Sequence, residues 1–285
     1  MSGDLGFWKY QGLGNDFVIV AEALGGEAAK ALCDRRLGIG ADGLLEVTRP
    51  GPDGADAAIV VWNSDGSPAQ ICGNGLRCAA LHLTEVGHVR SPMVLATGAG
   101  PRRCMVTAHP GRGEAEVAVE MGRGCLDRAM IPVAGAGTMI EEPLEVLGHV
   151  LRLTAVGMGN PHAVTFDPVS RDDVARFGPA IERDPRFPEG VNVGFARMID
   201  PGSMVLVVWE RSAGLTGACG SGACAAAVAA CSTGRAHRGS TIFVEQPGGE
   251  LAVTVGPDGH VVMTGRARRV FTGTIDRPTC LVSRP

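Results

Sequence analysis

Two short stretches of the 285-residue chain place thiols where they could do chemistry. Cys72-Gly73-Asn74-Gly75 and Cys219-Gly220-Ser221-Gly222 each open an apolar, Ala-containing run that reads as a buried helix. A helix start presents N–H groups with no acceptor inside the helix. Such an end attracts anions and lowers the pKa of a thiol beside it. The glycines permit close approach of a ligand to the backbone. The N–H groups of Gly73 and Asn74, and of Gly220 and Ser221, would then form two nests for one carboxylate. Two thiols with a carboxylate clamp suit inversion at an amino-acid α-carbon. One thiolate removes the α-proton from one face, and the opposite thiol delivers a proton to the other. The clamp stabilises the charge that spreads onto the carboxylate. The plain alternative is cysteine as a small buried hydrophobe, and it suffices for the other seven of the nine cysteines.

The elements that hold these thiols are duplicated. Val60-Val61-Trp62-Asn63 precedes Cys72 as Val207-Val208-Trp209-Glu210 precedes Cys219, and the helices stop near Gly87 and Gly234. The pairs 60/207, 72/219 and 87/234 are each 147 residues apart. A period of half the chain means duplication of a domain. Gly159-Asn160-Pro161-His162 answers Gly14-Asn15-Asp16-Phe17, and Gly190-Val191-Asn192-Val193-Gly194 answers Gly38-Ile39-Gly40-Ala41. Short apolar runs bounded by turn residues predict strands at 17–20, 57–62, 204–209 and 241–244. Hairpins are expected over 104–121 and 251–263. The expected fold is α+β: two pseudosymmetric domains, each a mostly antiparallel or mixed β-sheet wrapped around a central helix. The domains are expected at 1–122 and 123–285, with 267–285 packing back on the first half. Ala134-Gly135-Ala136-Gly137 reads as a linker.

Composition excludes several classes. The net charge of −4 and the lack of a basic run argue against nucleic-acid binding. No apolar stretch reaches the roughly 18 residues of a membrane span. The first residues lack the charged start and apolar core of a signal peptide, so free thiols in a reducing cytoplasm are expected. No Cys-x-x-Cys occurs, and no metal site is expected. Lys9 and Lys30 are the only lysines, and neither lies in a Gly-rich phosphate loop. A pyridoxal phosphate enzyme needs such a Lys, and no cofactor is expected.

His162 and Glu210 are candidate partners for the thiols; the alternatives are a structural His and a salt-bridged strand-end Glu. Asn15, Asn63, Asn160 and Asn192 stand in Gly-rich turns, where Asn serves as a turn former. Their placement in matched loops also suits polar ligands lining a cleft. Trp62 and Trp209 end matching strands and read as core aromatics.

At these residues the chain resembles the diaminopimelate epimerase family over about residues 8 to 276. The matching stretches include Gly12-Leu13-Gly14-Asn15-Asp16-Phe17-Val18, Gly38-Ile39-Gly40-Ala41-Asp42-Gly43 and Cys72-Gly73-Asn74-Gly75-Leu76-Arg77-Cys78. They continue with Met158-Gly159-Asn160-Pro161-His162-Ala163-Val164, Glu210-Arg211 and Ala218-Cys219-Gly220-Ser221-Gly222-Ala223-Cys224-Ala225. The resemblance implies cofactor-independent interconversion of LL- and meso-diaminopimelate, with Cys72 and Cys219 as the acid–base pair and His162 and Glu210 assisting. It implies that Gly73, Asn74, Gly220 and Ser221 hold the α-carboxylate. Asn63, Asn160, Asn192 and Arg211 hold the distal one, and Asn15 contacts substrate. It also implies a homodimer. The family commonly reads Glu-Arg-Gly-x-Gly-Glu-Thr, where this chain has Glu210-Arg211-Ser212-Ala213-Gly214-Leu215-Thr216. Gly43 stands where some members carry Gln.

Two other readings stay open. One is a racemase of the same architecture acting on another amino acid, of the histidine or proline/hydroxyproline type; Arg211 discriminates, since a monocarboxylate has no use for it. The other is a non-catalytic thiol redox or metal-binding protein, which would not explain the paired Gly motifs.

Overall fold

The computed structural model describes residues 4–69, 72–111, 113–211 and 213–276. The chain forms two compact units. One holds the residues up to Val119 together with those from Gly265 onward; the other runs from Glu120 to Thr264. The division thus falls at Val119/Glu120, and the chain returns to the first unit at Gly265.

The first unit contains β1 (Leu5–Gly12), β2 (Asn15–Val20), α1 (Gly26–Cys33), β3 (Gly43–Thr48), β4 (Ala57–Asn63), β5 (Pro68–Ala69), α2 (Gly73–Glu85), β6 (Met93–Ala96), β7 (Arg102–Gly111) and β8 (Glu114–Arg123). Its sheet runs β1–β2 antiparallel, β2–β3 parallel, β3–β4 antiparallel, β4–β6 parallel, then β6–β7 and β7–β8 antiparallel.

The second unit contains β9 (Glu142–Val146), β10 (His149–Gly157), β11 (Pro161–Thr165), α3 (Arg171–Glu182), β12 (Asn192–Asp200), β13 (Ser203–Glu210), β14 (Gly214–Leu215), α4 (Gly220–Ser232), β15 (Thr241–Gln246), β16 (Gly249–Val255) and the start of β17 (His260–Ile275), whose residues from Gly265 onward belong to the first unit. The same alternation recurs: β10–β11 antiparallel, β11–β12 parallel, β12–β13 antiparallel, β13–β15 parallel, β15–β16 antiparallel. The later residues of β17 pair with β1, and β17 also pairs with β8, which closes the first sheet into a barrel. The fold is the expected α+β one, a mixed sheet curled around a helix in each unit.

Both central helices start at the residue after the cysteine, and both their starts and their ends are 147 positions apart. α4 packs against β10, β11, β12, β13, β15 and β16, and α2 against β1, β2, β3, β4 and β7. Every residue of α4 from Gly222 to Ala230 is buried. Strands on all sides leave room only for small side chains at interior packing density, which is why the run is Ala-rich.

The Ala134–Gly137 stretch is not a linker. Ala134 N donates to Arg186 O at 2.8 Å, Arg128 Nη1 donates to Ala134 O at 2.7 Å, and Arg128 N to Gly137 O at 2.9 Å. Nearby Ile131 and Val133 are buried with Val174, Phe177 and Ile181. Its small residues suggest flexibility, yet Ala134 and Gly137 are tied by backbone hydrogen bonds within the second unit.

Helix α3 has no counterpart among the expected elements. Its signals are Ser170 as cap, with Oγ accepting Asp173 N–H at 3.2 Å, and the spacing of Val174, Phe177 and Ile181. Gly178 and Pro179 obscure the pattern. Gly178 is needed there: a Cβ would lie 2.4 Å from Trp209 Cγ. One loop match also shifts. Parallel pairing sets Asn192 opposite His162 as it sets Gly43 opposite Phe17, so Asn192 answers Gly43. Among the described residues no helix is long and apolar enough to cross a membrane.

Candidate active site

In the first unit Cys72 is the N-cap of α2, in extended conformation, and its Sγ accepts the Gly75 N–H at 3.4 Å. Gly73 and Asn74 are buried in the first turn. Asn74 Oδ1 accepts from Nη2 of the buried Arg77 at 2.8 Å, and Arg77 Nε donates to Arg266 O at 3.4 Å. The turn joining β1 to β2 lies against this corner. A Cβ on Gly12 would be 3.2 Å from Arg77 Nη2 and 3.7 Å from Asn74 O. Asn15 ends that turn, and its Oδ1 is buried with no hydrogen-bond partner among the described residues. A buried acceptor left open is costly unless a ligand supplies the donor.

The next residue, Asp16, is clamped by Lys9 at 2.6 Å and by Arg35 at 2.7 Å; Arg35 also reaches Asp42 at 2.8 Å. Burial alone would raise the Asp16 carboxyl, but Arg35 and Lys9 outweigh it and hold it below the usual carboxylate range. The network fixes the turn that presents Asn15. Asn63, at the end of β4, is exposed and donates from Nδ2 to Ser67 Oγ at 2.9 Å. A Cβ on Gly43 would lie 2.7 Å from Trp62 O, so local packing explains the Gly at this position.

In the second unit Cys219 is the N-cap of α4 and is buried. Its N–H donates to Gln246 Oε1 at 2.8 Å, and its Sγ lies 3.7 Å from Ser221 Oγ. Burial pushes the thiol well above its ordinary value, the Glu210 carboxylate adds to that rise, and the Ser221 hydroxyl opposes it. Glu210 Oε1 accepts Thr216 Oγ1–H at 2.6 Å. Asn160 Nδ2 donates to Ser221 Oγ at 3.4 Å, and Asn160 Oδ1 lies 3.0 Å from His162 Nε2. Burial, helped by the Arg211 charge, depresses His162 to about 3.

Asn192 is buried and braces Arg211. Its Nδ2 donates to Pro161 O at 3.0 Å, and its Oδ1 accepts Arg211 N–H at 2.9 Å. Arg211 Nη1 donates to Glu189 O at 2.7 Å. Gly190 lies under this side chain: with φ of 70°, its Cβ would stand 3.0 Å from Arg211 Cδ. Arg211 lines a cavity of about 450 Å³ with Glu182, Asp184, Phe187 and Gly190.

The second unit thus brings Cys219, Ser221, Asn160 and His162 into one hydrogen-bonded chain, with Glu210 at the thiol. It joins Asn192 to Arg211. The first gathers Cys72, Gly73, Asn74 and the turn of Asn15, and leaves Asn63 at a strand end. Thr216 and Gln246 are absent from the expected set. Thr216 lies within the quoted family motif, but Gln246 is reached only through the pairing of β15 with β13.

The chain matches the family model described as diaminopimelate epimerase over residues 7–125 and 154–270. It belongs to the diaminopimelate epimerase family. A relative in Synechococcus elongatus, named diaminopimelate epimerase, is 42% identical over 283 residues, covering 95% of this chain and 98% of the relative. Another of that name, in Geobacillus kaustophilus, is 40% identical over 278 residues, covering 94% and 95%. The crystal structure of a hydroxyproline epimerase from Agrobacterium vitis shares the fold, with a TM-score of 0.72 at 14% identity, covering 99% of this chain and 96% of that one. Family membership sets the redox or metal-binding reading aside. Ser212 lies outside the described residues, and Leu215, on β14, is exposed.

Proposed function

We propose that this protein interconverts LL- and meso-2,6-diaminopimelate without a cofactor, by a two-thiol mechanism. The observation that carries the reading is the pair of Cys-Gly-x-Gly helix starts, each with the cysteine as N-cap, in a chain whose relatives bear that activity's name. The substrate α-carboxylate binds the N–H groups of Gly73, Asn74, Gly220 and Ser221, where helix ends favour an anion. One thiolate takes the α-proton, and the other thiol protonates the opposite face. Burial and Glu210 keep Cys219 protonated in the empty protein, so it begins as the proton donor. Asn15 Oδ1 accepts from the substrate's ammonium. Arg211, braced by Asn192 and Glu189 O, grips the distal carboxylate with a fork that Lys cannot reproduce. Asn63 and Asn160 add polar contacts.

The protein acts on a small molecule, as a homodimer in the cytoplasm. Gel filtration with light scattering tests the dimer. The reading itself is tested by assaying stereochemical inversion of diaminopimelate beside proline, hydroxyproline and histidine. Turnover of diaminopimelate alone is expected. Turnover of a monocarboxylate in its place would favour the other racemase reading.

A further inference from the structure

The neighbours of Cys219 form a chain whose direction chemistry fixes. A carboxamide oxygen only accepts, so at the 3.0 Å contact His162 Nε2 must donate to Asn160 Oδ1. The imidazole is neutral at ordinary pH, because burial and Arg211 hold it at about 3. Its proton therefore sits on Nε2. With its oxygen taken, Asn160 turns Nδ2–H toward Ser221 Oγ at 3.4 Å. Ser221 has one hydrogen of its own and lies 3.7 Å from Cys219 Sγ. A thiolate has no proton to give, so once Cys219 is ionised Ser221 must be the donor in that contact.

We propose that the Ser221 hydroxyl is a catalytic hydrogen-bond donor to the Cys219 thiolate, and that Asn160 and His162 are positioning residues that set its direction. His162 then orients rather than takes protons, since the nitrogen that faces this chain is already protonated. The step balances simply: Cys219 loses its proton to the α-carbanion, and Ser221 keeps its own while its hydrogen bond to sulfur shortens. The inference rests on the reading of Cys219 as an acid–base group.

The test is made in the full-length enzyme with Ser221→Ala and Ser221→Thr. Iodoacetamide alkylation of Cys219 is followed across pH by peptide mass mapping of the substrate-free protein. The groups that face this thiol are Glu210 from β13 and, on its own helix, the Ser221 hydroxyl and the Gly222 N–H; Gln246 from β15 holds the Cys219 N–H, with His162 on β11 and Arg211 beyond them. Ser221→Ala removes only the hydroxyl from this set, and Ser221→Thr keeps it. Ser221→Ala is expected to move the Cys219 profile up by about one pH unit and to lower kcat about 10- to 100-fold. KM changes less, the Cys72 profile stays put, and Ser221→Thr rescues both effects. A Cys219 profile unmoved by Ser221→Ala, or a Thr variant that behaves as Ala while melting as the wild type does, overturns the proposal. Failure of the wild type to invert diaminopimelate would sink the functional reading instead, and is seen separately from the alkylation profile.

Discussion

At Cys72 the sulfur accepts the Gly75 N–H at 3.4 Å and the residue is half-buried. At Cys219 the residue is buried, the matching Gly222 N–H lowers the thiol, and the sulfur also has Ser221 Oγ 3.7 Å away and the Glu210 carboxylate beside it. The backbone frame is the same in both copies: an extended cysteine, a 13-residue helix and matched strand pairings. Five substitutions between the copies fall at the residues described above. His162 stands for Phe17, Asn192 for Gly43, Glu210 for Asn63, Ser221 for Asn74 and Cys224 for Arg77. Three of the five, His162, Asn192 and Glu210, put the more polar side chain into the second copy. Duplication fixes where a thiol sits, and single side chains then set how tightly it holds its proton.

The strongest way to break the comparison is to remove one sulfur. Cys72→Ala and Cys219→Ala are each expected to lower kcat for epimerisation by at least about 10³-fold, although their surroundings differ. The double variant should be little worse than either single one. A single variant with near-normal turnover would show that its sulfur is outside the acid–base pair.

Substrate grip is next. Arg211→Lys keeps the charge and loses the fork, so kcat/KM for diaminopimelate should fall about 10- to 100-fold. An unchanged value would detach Arg211 from the distal carboxylate.

Glu210→Asn gives the second copy the residue of the first. Glu210 raises the Cys219 thiol, so its loss should lower that pKa and leave more thiolate at a given pH. Alkylation of Cys219 at pH 8 should then speed up by about 3- to 10-fold, with Cys72 unchanged. Slower or equal alkylation would mean that Glu210 does not load this thiol.

The smallest effect sharpens the comparison through acid stability. Burial depresses His82 in the first unit to about 4 and His162 in the second to about 3. The unfolded chain protonates both near 6.5. Stability is therefore full above about pH 6.5 and falls as pH drops toward those folded values, by at most about 1.4 kcal/mol per pH unit for each His. Urea unfolding at pH 7 and pH 5 should show the loss, and His82→Phe should reduce it. A slope unaltered by that change would remove His82 from the acid response.

Much of this was legible in residue spacing. The 147-residue period located both helix starts beside their cysteines and both ends to within two residues, because a cysteine cap, flanking glycines and a small-residue run act locally. Pairing across the sheet was less legible. That Asn192 answers Gly43, and that Gln246 receives the Cys219 N–H, follows from strand register, which joins residues far apart in the chain. The packed course of Ala134–Gly137 was hidden for the same reason: Arg128, not local propensity, ties it down. Helix α3 carried its cap and apolar spacing openly, but Gly178 and Pro179 broke the pattern where Trp209 presses on it.

The two-thiol claim is tested most directly by isotope exchange in D2O. Starting from one stereoisomer, the proton removed goes to one sulfur and the proton delivered comes from the other, which exchanges with solvent in the open site. Early product should carry deuterium at the α-carbon while recovered substrate keeps protium. Recovered substrate that gains deuterium as fast as product forms would show one base serving both faces, and would contradict the mechanism.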